Sequence, residues 1–105
     1  MLKYRYSIMV PSINLSGQNI DHDSAVKDAL KTMSAVCGGA TAIGGIGSWV
    51  SDSGELITES VTSVYSYSES DVSDRLLDYA LGSLYVWNQE AIALETPMGL
   101  ELLGR

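Results

Sequence analysis

Glycine dominates one short stretch of the chain and limits what that stretch can form. Five glycines fall within ten residues, at positions 38, 39, 44, 45 and 47. Glycine weakens a strand interior, so a cluster of glycines in a strand indicates a bulge, a bend or the close approach of another group. We therefore predict a bent strand over 40–50, shaped by Gly45 and Gly47 with Trp49 packed beside them. The alternative is a strand whose backbone approaches a ligand.

The segments before this stretch predict a strand and a helix. Residues 3–10 alternate between two faces, which is typical of a half-buried strand. One face would carry Tyr4, Tyr6, Ile8 and Val10, and the other Lys3, Arg5, Ser7 and Met9. An acidic cap at Asp21 or Asp23 and a stop at Gly38 bound an amphipathic helix. Its predicted core residues are Val26, Leu30 and Met33, with Cys37 as a small residue on the same apolar face.

The segments after it predict a hairpin, a second helix and a final strand. The turn over 51–54 joins the glycine-rich strand to a β-branched run over 56–67. Ser70 is the expected cap of a helix that ends near Asn88, and Leu76, Ala80 and Leu84 are its expected core residues. A weakly alternating run over 90–96 predicts the last central strand. The turn residues 97–99 then allow 100–103 to fold back as a short edge strand.

This order of elements predicts a single domain over 1–105 with an α+β fold. Two β-α-β units that share one antiparallel sheet give a ferredoxin-like βαββαβ sandwich, with both helices on one face. A short C-terminal edge strand fits beside it. The other face of the sheet would be open and would carry Arg5 and Met9. An open and partly apolar sheet face favours a homodimer or another protein partner.

Charge and composition narrow the class of partner. The formal net charge is −7, which disfavours direct binding to nucleic acids and to anionic membrane surfaces. A single cysteine excludes an internal disulfide. The first residues have no signal-peptide pattern, and no apolar run is long enough to span a membrane, so we expect a cytoplasmic protein.

The glycine-rich pattern resembles that of a known group of proteins. The residues that carry the resemblance are Gly38-Gly39-Ala40-Thr41, Gly45, Gly47, Trp49, Gly54 and Glu59, with Val10-Pro11-Ser12 and Asn88-Gln89-Glu90 in the flanks. In these the chain is similar to small uncharacterised proteins of bacteria, plasmids and phages. The resemblance implies one compact domain and an accessory role in a mobile element, and it supplies no catalytic residues.

No catalytic, cofactor or metal motif is complete in the sequence. The glycines lack the lysine of a P-loop and the third glycine of a dinucleotide-binding fingerprint. His22 is the only histidine, and we interpret it as a polar residue before a helix rather than as a general base. Cys37 on an apolar helix face lacks the setting of a nucleophile. One histidine and one cysteine cannot build a typical zinc site, so we expect neither metal nor cofactor.

The sequence therefore favours a non-enzymatic interaction module, such as a phage or plasmid accessory protein that inhibits a host defence system by binding. The alternative is a small-ligand-binding dimeric domain that uses the glycine-rich strand, and an enzyme is the least favoured class. We interpret Asp52 and Glu55 near the hairpin turn as solubilising charge, and the alternative is that, with Glu59, they form a carboxylate pair or a weak cation site. The candidate binding residues are Arg5, Met9, Gly45, Gly47, Trp49, Asp52, Glu55 and Tyr65.

Overall fold

The structure, a computed structural model, describes residues 1–105 and contains five strands and two helices. The elements are β1 (Tyr4–Val10), α1 (His22–Cys37), β2 (Thr41–Val50), β3 (Leu56–Ser68), α2 (Ser73–Val86), β4 (Ala91–Thr96) and β5 (Gly99–Gly104). Neither helix has the length and apolar character needed to cross a lipid bilayer.

The strands form one antiparallel sheet in the order β2-β3-β1-β4-β5. This arrangement shows that the predicted ferredoxin-like βαββαβ sandwich is wrong. The chain reverses at Gly99, whose φ of 128° suits glycine, and β5 then pairs with β4 at six positions. The last segment is thus a full strand of a five-stranded sheet, because the tight turn returns the chain in register along β4.

Both helices pack on one face of the sheet, where thirteen buried residues form a single core cluster. The largest fully buried side chains are Tyr6, Ile8, Met33, Leu76, Leu84 and Leu94, followed by Val10 and Val64. The buried positions of α1 are Ala25, Ala29 and Met33, whereas Val26 and Leu30 are only partly buried. The small alanines and Met33 face the sheet, so Val26 and Leu30 lie on the flank of the helix.

Local capping explains the bounds of α1 but not those of α2. The side chain of Asp21 accepts a 3.1 Å hydrogen bond from Ser24 N, and Gly38 ends α1 in the left-handed conformation with φ of 100°. Both features of α1 confirm the sequence prediction. The predicted cap of α2 at Ser70 is wrong, because this helix begins at Ser73 and is preceded by Val72, which supplies no side-chain cap.

The hairpin formed by β2 and β3 extends beyond the rest of the sheet. Strand β1 pairs with β3 only from Tyr4↔Ser68 to Val10↔Thr62, so the outer half of the hairpin has no third strand beside it. Almost every residue of β2 is exposed as a result. The molecule is elongated, with principal extents of 45 × 26 × 23 Å.

Candidate functional site

A pocket of about 660 Å³ opens where β2 separates from β3. Its walls are the end of α1, the Gly38-Gly39 turn, the start of β2 and residues 65–70, and Leu2 lies at its rim. The volume falls within the range of about 300–1,000 Å³ that is usual for small-molecule sites. This pocket is the candidate functional site.

The pocket exists because β3 continues past the point where β2 begins, so the end of β3 faces the turn between α1 and β2 instead of a paired strand. The N–H of Gly38 donates to Ser34 O at 2.8 Å, which closes the last turn of α1. Pairing between β2 and β3 begins only at Thr41↔Tyr65. The last three residues of β3, 66–68, therefore pair with β1 on one side and border the pocket on the other.

Two tyrosines of β3 give the pocket an aromatic edge and link it to Arg5. The rings of Tyr65 and Tyr67 meet edge to face, with centroids 6.4 Å apart. The Arg5 guanidinium lies 4.5 Å from the Tyr65 ring centroid and 5.5 Å from that of Tyr67. Its Nη1 donates to Tyr67 Oη at 3.2 Å, and its Nε donates to Glu95 Oε1 at 3.3 Å. The hydrogen bond to Tyr67 is the main cause that raises the pKa of Arg5 above its ordinary value, and the hydrogen bond to Glu95 also raises it.

Beneath the aromatic edge, the pocket wall contains a buried hydroxyl without a nitrogen or oxygen partner. The Oγ atom of Ser66 is inaccessible to water and makes no such hydrogen bond. The thiol of Cys37 lies beside it, and burial raises the pKa of this thiol, an effect that the Ser66 hydroxyl partly opposes. Cys37 is therefore a neutral, half-buried pocket residue and not the core residue predicted from the sequence.

Glu69 is the one carboxylate among the residues that line the pocket. It follows β3 directly and is exposed, and Ser70 beyond it donates its backbone N–H to Ser68 Oγ at 3.4 Å. A carboxylate attracts a positive charge, whereas the two tyrosine rings already interact with the Arg5 guanidinium and offer a flat surface. The pocket can therefore accept a ligand with a cationic centre and a polar, planar part.

The structure brings together only part of the predicted set of binding residues. Arg5 and Tyr65 are in contact, and Met9 lies on the same open face of the sheet, where it is half-buried. The other five lie in the outer half of the hairpin, away from the pocket: Gly45, Gly47, Trp49, Asp52 and Glu55. These five do not line the pocket, and the two groups form no common site in this chain.

The glycine-rich strand is regular, so the predicted bend is wrong. Strand β2 pairs with β3 at ten consecutive positions, and none of its glycines has a positive φ. A methyl group at Gly45 would meet no atom within 4 Å, whereas one at Gly47 would lie 3.2 Å from Val61 Cγ1. Trp49 is 47% exposed and is not a core residue. Small residues are tolerated here because the strand has little to pack against.

His22 has a structural role at the start of α1. Its Nδ1 lies 2.7 Å from Pro11 O, and its Nε2 lies 2.7 Å from Thr62 Oγ1. Both ring nitrogens are thereby engaged, and the side chain ties the first turn of the helix to Pro11, directly after β1, and to β3. The residue lies outside the pocket lining.

Sequence reasoning missed the end of β3, where Ser66, Tyr67 and Glu69 line the pocket. The register of the hairpin could have predicted that these residues border a gap. The turn over 51–54 sets the register, and counting back from it places position 39 opposite position 67. Two glycines at 38 and 39 end the opposing segment, so the strand edge at 67 has no neighbour.

The comparisons with known proteins concern the fold. The sequence matches no protein-family model and no curated protein. The structure is similar to that of a phage SAM lyase in complex with S-methyl-5'-thioadenosine, with a TM-score of 0.76 and 14% identity over 97% of this chain and 89% of that chain. A phage SAM lyase in the apo state is similar with a TM-score of 0.66 and 16% identity, over the same shares of the two chains. At these identities the likeness shows a shared fold.

This likeness corrects the functional interpretation of the sequence. The non-enzymatic interaction module, with the glycine-rich ligand-binding domain as its alternative, was the expected class. The fold is instead one that an enzyme uses, over nearly the whole chain. The expectation that the chain is not an enzyme is therefore withdrawn.

Proposed function

We propose that this protein is a lyase that cleaves S-adenosylmethionine and releases S-methyl-5'-thioadenosine, with the pocket at the end of β3 as its active site. The observation that carries the proposal is the likeness, over 97% of the chain, to a phage SAM lyase in complex with S-methyl-5'-thioadenosine. The pocket gives this proposal a location, because it has the size of a small-molecule site and combines aromatic, hydroxyl and carboxylate groups.

The charge of the pocket suits the substrate. S-adenosylmethionine carries a permanent positive charge on its sulfonium sulfur. The carboxylate of Glu69 attracts such a charge, whereas the rings of Tyr65 and Tyr67 already hold the Arg5 guanidinium and contribute flat surface. The net charge of −7 favours the approach of a cationic substrate from solution. The product S-methyl-5'-thioadenosine has a neutral sulfur and loses this attraction, which favours its release.

The reaction needs no water and no cofactor to balance. The bond between the sulfonium sulfur and the γ-carbon of the methionine chain breaks, and its electron pair goes to the sulfur, which becomes a neutral thioether. The carboxylate of the same methionine chain forms the new bond to the γ-carbon and closes a lactone. No proton moves in this step, so the pocket has to hold the chain in the folded conformation that brings oxygen and carbon together.

An elimination is the competing route, and it would need a base. A proton would leave the β-carbon of the methionine chain, and a carbon–carbon double bond would form as the sulfur departs. Glu69 is the only pocket carboxylate that could accept this proton. The two routes assign different roles to Glu69, because a charge partner of the sulfonium acts mainly on substrate binding whereas a base acts on the chemical step.

The test is to incubate the purified protein with S-adenosylmethionine and to quantify both products by mass spectrometry. We expect S-methyl-5'-thioadenosine and the lactone in equal amounts. Glu69→Gln should raise KM about three- to tenfold without lowering kcat, since the carboxylate attracts the full sulfonium charge of the bound substrate more than the reduced charge of the transition state. Glu101→Gln, an exposed carboxylate of β5 outside the pocket, is the matched control and should leave both constants unchanged.

Two outcomes would contradict parts of this proposal. Failure to form S-methyl-5'-thioadenosine at any enzyme concentration would overturn the lyase function. A loss of kcat of a hundredfold or more in Glu69→Gln, with an alkene as the second product, would instead assign the base to Glu69 and the reaction to elimination.

A further inference from the structure

The hydrogen-bond pattern of the hairpin shows which backbone groups of β3 face the pocket. Ser51 N donates to Glu55 O at 2.8 Å, so these two residues form a hydrogen-bonded pair. In an antiparallel ladder, hydrogen-bonded pairs recur at every second position. The register runs without a bulge from Val50↔Leu56 to Thr41↔Tyr65. The odd-numbered residues of β3 therefore direct their N–H and C=O towards β2, and the even-numbered ones towards β1.

Tyr67 is the next odd-numbered residue, and its neighbouring strand is missing. The position opposite it would be Gly39, but β2 begins at Thr41. No backbone hydrogen bond joins Tyr67 to the Gly38-Gly39 turn, and no side chain bonds its N–H. The N–H and C=O of Tyr67 thus point side by side into the pocket, with Ser66 in the same wall.

An exposed strand edge of this kind presents one donor and one acceptor on the same side. The Watson–Crick edge of adenine presents the complementary pair, an acceptor at N1 and a donor at its 6-amino group. We propose that the backbone N–H of Tyr67 donates to N1 of the adenine ring and that its C=O accepts from the 6-amino group. This assignment rests on the proposed function, and it names the group that makes the pocket specific for adenine nucleosides.

The apolar part of the pocket supports a flat ring at this edge. Val36 and Ala40 line the pocket from the end of α1 and the approach to β2. A purine that bonds the edge of β3 would lie in the position that a continuing β2 strand would occupy. The ring would complete the sheet where the second strand of the hairpin is absent.

The proposal predicts discrimination between adenine and hypoxanthine. Hypoxanthine carries a hydrogen on N1 and an oxygen at position 6, so it presents a donor to the N–H of Tyr67 and an acceptor to its C=O. Both contacts become unfavourable, and the two backbone groups lose their water without gaining a partner. We expect S-methyl-5'-thioinosine to bind at least about tenfold more weakly than S-methyl-5'-thioadenosine.

Two substitutions at one position separate the backbone from the side chain. Tyr67→Pro removes the N–H, and because this N–H faces away from β1 the ladder with β1 loses no bond. Tyr67→Ala removes the same ring and keeps the N–H. We expect Tyr67→Pro to bind S-methyl-5'-thioadenosine about tenfold more weakly than Tyr67→Ala does, and to lose most of the preference over the inosine analogue. Circular dichroism establishes whether the proline variant folds.

Isothermal titration calorimetry of the intact chain with the two nucleosides is the deciding experiment, and the wild-type comparison stands even if the proline variant fails to fold. A preference for S-methyl-5'-thioadenosine supports the assignment. This holds even if the protein does not cleave S-adenosylmethionine. Equal affinity for the two nucleosides, or binding of neither, overturns it. Equal affinity together with cleavage would overturn the assignment of Tyr67 and leave the lyase function intact.

Discussion

The hydroxyl of Tyr6 donates a 2.9 Å hydrogen bond to Asp71 Oδ1 and thereby joins the central strand to the segment that begins α2. The same oxygen accepts a 2.9 Å hydrogen bond from Val72 N, and Ser73 Oγ lies 3.1 Å away. Tyr6 is fully buried. A side chain from β1 therefore satisfies a free amide at the start of α2, which a residue of the helix itself would usually do.

Replacing Tyr6 by phenylalanine should destabilise the fold without changing its shape. The ring would still fill the core, but Val72 N would lose its partner in a partly buried setting. We expect a loss of about 1–3 kcal/mol in the free energy of unfolding, measured by urea denaturation. Tyr85→Phe, at a residue that is 66% exposed, is the control and should cost less than about 0.5 kcal/mol. Equal losses in the two variants would show that the hydroxyl of Tyr6 contributes nothing.

The hydrogen bonds to Asp71 predict that the free energy of unfolding depends on pH. Hydrogen bonds from the side chain and backbone of Ser73, and then from Tyr6, hold the pKa of Asp71 below its ordinary value of 3.8. A depressed pKa means that the ionised carboxylate stabilises the folded state at neutral pH. This contribution is lost as the pH falls below the ordinary value and through the folded-state pKa. The difference in unfolding free energy between wild type and Asp71→Asn should narrow over that range, and a constant difference would contradict this account.

The start of α2 also shows where sequence reasoning stops. The bounds of α1 were predictable because its caps, Asp21 and Gly38, are adjacent to the helix in the chain. The cap of α2 was not predictable, because the group that bonds Val72 N belongs to Tyr6, 66 positions away. Ser70 was a reasonable local candidate, and a distant side chain took its place.

The candidate site was hard to predict for the same reason, because it is formed by residues that are far apart in the sequence. The contact between Arg5 and Tyr65 was not predicted as a contact, although both were named as candidate binding residues. The pocket itself depends on where two distant segments fail to pair, at Gly39 and Tyr67. Periodicity and composition describe single elements, so they carry no information about a gap between two of them.

The core prediction can be tested by comparing two residues of α1. Met33 is fully buried, whereas Leu30 is only partly buried at the edge of the core. Met33→Ala should cost about 2–5 kcal/mol, and Leu30→Ala distinctly less because fewer of its contacts are lost. Thermal or urea unfolding gives both values. A larger loss for Leu30 would restore the helix orientation that we predicted from the sequence.

The two hairpin glycines should respond differently to alanine. A methyl group at Gly45 enters open space, so Gly45→Ala should be neutral or stabilising by up to about 1 kcal/mol. At Gly47 the methyl group must displace the Val61 side chain, which lies 3.2 Å away, and this should cancel or reverse the gain. Urea denaturation of the two variants checks the order. Equal effects would mean that Val61 adjusts freely.

The open face of the sheet remains our proposed site of self-association. Pairing from strand to strand places four exposed apolar side chains on this face: Ile43, Trp49, Leu100 and Leu102. Arg5→Glu combined with Met9→Glu adds acidic groups near their symmetry mates, so it should yield monomers with an unchanged circular dichroism spectrum. Analytical ultracentrifugation decides the outcome. A wild type that sediments as a monomer at high concentration would exclude this assembly.

The position of β1 has a consequence for how the chain acquires its structure. The first strand in the sequence is the central strand of the sheet, with β3 on one side and β4 on the other. Its second edge is covered only by pairing with Leu94 and Glu95. During synthesis the growing chain must therefore keep β1 unpaired on that edge until β4 has been made. Folding of this domain is completed late, and a chain interrupted before β4 would expose a template for association with other strands.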